Sequence, residues 1–154
     1  LDERIEALAL YARQLAWLNT APEVEHKGSG KKPDPVTRLK AMEDRGEHPL
    51  LPPVAHRHLI GWWLEIGPTA PGGMGDAPLP IAQIRNDMEA LGVDLAPWEA
   101  RAIRRMSREF LSQKHEARKP HCLPPYTASE EQAQVKDKVT EQFKGLISAF
   151  NARV

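Results

Sequence analysis

Apolar residues recur at three- and four-residue spacing in five stretches of the chain, and strict alternation of apolar and polar residues is absent. This is the signature of amphipathic helices rather than strands. Leu1 to Asn19 carries Ile5, Leu8, Ala9, Ala12, Leu15 and Ala16 on one face, with Asp2 and Glu3 at the end where negative charge suits a helix dipole. Val54 to Ile66 places Val54, Leu59, Trp62, Trp63 and Ile66 on a broad stripe, and Gly67-Pro68 ends it. Pro80 to Leu91 repeats the pattern through Ile81, Ile84, Met88 and Leu91, with Gly92 as a left-handed stop. Pro97 then opens a helix to Lys114, with Trp98, Ala102, Ile103, Met106 and Phe110 facing one way. A capping-box pattern at Ser129 to Gln132 starts a last helix toward Asn151, striped by Val135, Val139, Phe143, Leu146, Ile147 and Phe150.

Between these stretches the period is lost to proline and glycine. From Pro22 to Pro53 the expectation is a mobile loop, with a short helix at Pro35 to Glu43 capped by Asp34. Pro68 to Pro80 packs Gly72, Gly73, Met74 and Gly75 between prolines and predicts a tight, shaped connector that reverses the chain. Lys114 to Ala128 is a second irregular segment, read as a tether for the last helix. The fold class expected is therefore all-α: a single helical domain of four to five helices, core 54–114, N-terminal helix 1–19, tethered C-terminal helix 129–152 and two irregular Pro/Gly-rich segments. The expected core holds Trp62 or Trp63, Ile84, Met88, Trp98, Ile103 and Phe110.

Composition narrows the function. A chain of 154 residues with 41% hydrophobic content suits one domain. The 21 basic and 21 acidic residues cancel, so no global field holds the chain on nucleic acid or an anionic membrane. The single cysteine, Cys122, excludes an internal disulfide framework and suits a reducing compartment. No apolar run approaches the roughly 20 residues of a membrane span, and the opening residues lack a secretory leader pattern. A soluble, cytoplasmic protein is expected, with no membrane partner.

Candidate chemistry is sparse. Gly28-Ser29-Gly30-Lys31-Lys32 lacks the glycine spacing, the Lys-Ser/Thr pair and the preceding strand of a phosphate loop. His56 and His58 are two residues apart, which on a helix sends them to different faces and argues against a metal pair. His121-Cys122 has no further ligands at suitable spacing. With no G-x-S-x-G, H-E-x-x-H or paired C-x-x-C, no catalytic residue, metal site or cofactor is assigned, and the chain reads as a non-enzyme. One local charge feature stands out. Arg101, Arg104, Arg105 and Arg108 fall within roughly one third of a helix circumference. That stripe either is a solvated helix face or grips an acidic protein surface or phosphates, and the absence of interleaved aromatics argues against a single-stranded nucleic-acid platform.

The order of motifs from Trp63 to Met106 resembles that of siphophage tail assembly chaperones, a family also met in prophages and gene transfer agents. The residues that carry it are Trp63-Leu64-Glu65, Pro71-Gly72-Gly73-Met74-Gly75, Pro78-Leu79-Pro80-Ile81, Leu91-Gly92, Leu95-Ala96-Pro97-Trp98-Glu99 and Ile103-Arg104-Arg105-Met106. They cover about a third of the chain. Ala96 replaces the usual serine cap, and Met106-Ser107 stands where Leu-Asp is usual. The resemblance implies a non-enzymatic protein of the host bacterial cytoplasm that binds the tape measure protein or the tail tube subunit during virion assembly. The alternatives are a helical nucleic-acid-associated phage protein using the arginine stripe, or a structural virion adaptor. Partner-binding candidates are Gly72, Gly73 and Met74 in the glycine run, the four arginines, and Val139, Phe143 and Phe150 on the last helix.

Overall fold

The computed structural model describes residues 2–129, 141, 144–149 and 151–152. Through residue 129 the chain forms α1 (Glu3–Leu18), α2 (Arg38–Asp44), α3 (Arg57–Ile66), β1 (Ala70–Gly72), β2 (Gly75–Ala77), α4 (Ile81–Ala90) and α5 (Pro97–Glu116). The fold is largely helical but not strictly all-α, because β1 and β2 pair antiparallel as a small two-stranded sheet. The connector expected at 68–80 is thus a β-hairpin. Its strands of three residues are too short to show an alternating pattern, which is why periodicity does not reveal them.

The core is built around α5 and α1. Leu8 and Ala12 of α1 join Leu59, Trp63, Ile84, Met88, Ile103 and Met106 in one buried cluster, so the core extends beyond 54–114. Contacts climb together along the two helices. Arg4 meets Trp98, Glu6 meets Arg105, Arg13 meets Glu109, and Trp17 reaches Cys122 just past α5. The helices therefore run in the same sense. Ala9, Ala12 and Ala16, all fully buried, lie one turn apart on α1, and side chains that small let two helix backbones approach.

Local signals set the helix ends. Asp2 Oδ1 accepts from Arg4 N at 3.0 Å and caps α1. Helix α2 begins at Arg38 rather than Pro35, because the Thr37 hydroxyl, not Asp34, accepts the Lys40 amide at 3.2 Å. Past α4, Gly92 N and Val93 N return to Glu89 O and Met88 O, each at 2.9 Å, the paired bonds of a Schellman motif. Helix α5 starts with half a capping box: Glu99 Oε1 accepts from Ala96 N at 2.9 Å, and alanine has no oxygen to return the bond.

Of the two tryptophans expected in the core, Trp63 is the one fully buried; Trp98 and Phe110 are only partly buried against the core, and Leu91, expected on the apolar stripe of its helix, is exposed. Trp98 sits at the first turn of α5, where one ring face is covered by the Arg4 guanidinium at 4.0 Å instead of by apolar core. Leu91 falls at the helix cap, one residue beyond the packed face.

The two irregular segments are fastened to α1. Gln14, only 2% exposed, donates to Leu50 O at 3.0 Å and accepts from Tyr126 N at 3.1 Å. Trp17 Nε1 donates to Cys122 O at 2.9 Å. Arg38 donates to Trp17 O, Thr20 O and Lys119 O, placing a cation at the C-terminal end of α1, whose own last turn has no basic residue. Burial pushes the Arg38 pKa down from its ordinary value, yet a guanidinium starts so high that it stays charged. The expected free tether at 114–128 is instead held down, with Tyr126 2% exposed. Among residues 144–149, which are helical, Leu146 and Ile147 are 70% and 47% exposed.

Candidate partner-binding face

One side of α5 gathers the arginine stripe and the hairpin. Arg101, Arg104, Arg105 and Arg108 line a shallow cleft of about 260 Å³ whose apolar lining is Ile5 of α1. Arg108 also borders a second cleft of about 580 Å³, where Asp76 and Pro78 of the hairpin side face Leu111, Ser112 and His115 of α5. Arg108 is the lining residue that both clefts share.

The arginines are not equivalent. Arg105 Nε donates to Glu109 Oε1 at 2.8 Å, and its Nη1 lies 3.1 Å from Glu6 Oε1. Glu109 also pairs with Arg13 at 3.6 Å, so Glu6, Arg105, Glu109 and Arg13 alternate in charge across the α1–α5 seam. The hydrogen bond that Arg105 donates to Glu109, followed by the charge of Glu6, raises the Arg105 pKa. Arg105 is committed to holding the helices together. Arg101, Arg104 and Arg108 are exposed and have no ion pair among the described residues.

The hairpin is a shaped element whose ends are sunk in the core. Its register pairs Ala70 with Ala77, Pro71 with Asp76 and Gly72 with Gly75, leaving Gly73 and Met74 at the turn. A side chain on Gly72 would bring a Cβ to 2.8 Å from Gly75 O, and Gly75 itself sits at φ +107°. Glycine is required at both positions. Gly73 has open space around it, and Met74 at the tip is 104% exposed. Trp63 Nε1 donates to Pro68 O at 3.2 Å on the entry side, while Ser107 Oγ accepts from the buried Leu79 N at 2.9 Å on the exit side. Asp76 lies 3.5 Å from Lys114 Nζ, a half-exposed pair that adds little energy but marks the docking of β2 on α5. The serine found where the resembled family usually has aspartate thus has a structural task here.

The structure therefore brings Arg101, Arg104, Arg105 and Arg108 together, and the hairpin that carries the Gly72-Gly73-Met74 turn docks on the same helix through β2. Val139, Phe143 and Phe150 lie outside the described residues. An aromatic and cationic ladder went unread in the sequence. Arg4 covers Trp98, His56 packs edge-on to Trp98 at 5.1 Å and to His58 at 5.9 Å, and His58 packs on Trp62 at 4.9 Å. The two histidines were expected on different helix faces, but His56 is the N-cap of α3, outside helical geometry, so its ring swings to meet His58. His58 Nε2 also lies 3.4 Å from Glu99 Oε2, linking the starts of α3 and α5.

Among the described residues no group of three His, Cys, Asp or Glu side chains is placed to hold a metal ion, and no helix is long and apolar enough to cross a membrane. Comparison with family models, curated proteins and solved structures gives no match.

Proposed function

We propose that this chain is a non-catalytic chaperone of phage tail assembly, acting in the host cytoplasm, that binds the tape measure protein or the tail tube subunit. The observation that carries the reading is the hairpin. Its run Pro71 to Gly75 is part of the motif order that resembles that of the tail assembly chaperones, and it holds a bare methionine in solvent on a backbone anchored at both ends. A flexible thioether side chain adapts to varied apolar surfaces, which suits a client that is held only until it polymerises. The other resembling residues support the hairpin's placement: Trp63 at its entry, and the Pro97-Trp98-Glu99 start of the helix on which it docks. Exposed Leu146 and Ile147 supply further apolar surface outside the core.

Co-expression of the tagged chain with the neighbouring tail genes, followed by pull-down and mass spectrometry, tests the reading. The expected result is a tail protein that co-purifies and stays soluble, with less recovered when Met74 is replaced by serine. Recovery of no tail protein overturns it.

A further inference from the structure

We propose that the cleft between Arg101, Arg104 and Arg108 docks an acidic α-helix of a partner protein, whose carboxylates at i, i+3 and i+7 pair with the three arginines while an apolar residue between them seats on Ile5. Spacing is the first argument. The three free guanidiniums recur at 101, 104 and 108 along one face of α5, a rise of about 10.5 Å, and a partner helix has the same pitch. Planar guanidinium forks suit paired hydrogen bonds to carboxylate. The cleft already holds one such arrangement internally, because Arg105 takes the carboxylates of Glu6 and Glu109.

The lining argues for protein rather than nucleic acid. Ile5 gives an apolar seat amid the cations, the usual pattern of a protein interface anchor beside charged partners. No aromatic side chain lines the cleft to stack a base. The overall charge of zero adds no long-range pull on a polyanion. The inference stands on the arginine face alone and does not depend on the tail-assembly reading.

The test uses the full chain and a helical peptide of about three heptads with glutamates at i, i+3 and i+7 around a central leucine. Controls are a scrambled peptide of the same composition and a single-stranded DNA of equal charge. Binding is measured by fluorescence anisotropy at low and moderate salt. Periodic peptide is expected to bind at least about tenfold more tightly than either control, and Arg101→Glu/Arg104→Glu/Arg108→Glu to lose at least about tenfold in affinity while keeping its helical circular dichroism. The same peptide with lysines replacing its glutamates is expected to bind that variant better than it binds the parent chain. Equal binding of periodic and scrambled peptides, tighter binding of DNA, or an unaffected triple variant overturns the proposal. A variant that fails to fold leaves the peptide comparison on the parent chain to decide.

Discussion

Two exposed, glycine- and proline-rich stretches of this chain, the hairpin at 70–77 and the strap at 22–53, are alike in composition and differ in what holds them. The hairpin closes on itself by strand pairing and is bounded by Ala70 and Leu79, both buried, so its few residues have one shape. The strap is exposed throughout 23–36 and is fixed near its ends: Glu23 N donates to Arg118 O, and Arg38 and Gln14 hold the backbone around Thr20 and Leu50. Glycine and proline content therefore does not say whether a stretch presents a defined surface. Buried ends close together do, because they leave little chain entropy to oppose the shape. This separates a presenting side, formed by the hairpin and the arginines of α5, from a fastening side formed by α1 and two straps, the one at 22–53 and a second at 117–128 after α5.

The distinction can be broken most severely at the hairpin's entry. Trp63→Ala removes a fully buried ring and the donor to Pro68 O, with an expected loss of about 3–5 kcal/mol in chemical denaturation. Trp98→Ala, by comparison, is expected to cost less than that range, because Trp98 is half-buried and an exposed cation–π contact contributes only about 0.5–1 kcal/mol. Equal losses for the two tryptophans would place Trp98 in the core after all.

On the fastening side, Gln14→Leu strips the partners from Leu50 O and Tyr126 N at once. The expected cost is roughly 1–3 kcal/mol, most of it from the buried Tyr126 amide rather than the half-buried Leu50 carbonyl. Limited proteolysis should then cut within both straps while 70–77 stays intact. Cleavage at the hairpin instead would show the two regions to be one cooperative unit.

Ser107→Ala isolates the hairpin's exit, leaving the buried Leu79 N–H without its acceptor at an expected cost of about 1–3 kcal/mol in denaturant melts. Gly72→Ala should cost a similar amount, about 1–3 kcal/mol, since its Cβ would collide with backbone at Gly75. Its counterpart Gly30→Ala meets nothing and has no positive φ, so stability should stay within about 0.5 kcal/mol of the parent. Matching melting temperatures for these two glycine variants would remove the contrast between hairpin and strap.

Much of the helical frame was legible because amphipathic periodicity is local. Buried Ile84, Met88, Ala102, Ile103 and Met106 fall on the faces that spacing assigns them. The hairpin was not legible, since its shape depends on Trp63 and Ser107 gripping its ends rather than on any pattern within it. The fastening of the straps was not legible for a related reason: a lone glutamine inside an apolar stripe gives no hint that its amide will bind Leu50 and Tyr126 far along the chain. At the candidate site the arginine period was visible, but the division between Arg105 and its neighbours was not. The carboxylate that claims Arg105 from α1, Glu6, is 99 residues away in sequence.

Hydrogen exchange of the full chain, free and in its co-purified complex with a tail protein, compares the two sides in one experiment. Slower exchange on complex formation is expected at the hairpin, 70–77, and its amides should be the most affected, with 23–36 unchanged. Protection confined to 23–36, or absent from 70–77, would contradict the assignment of the hairpin side as the surface that meets the client.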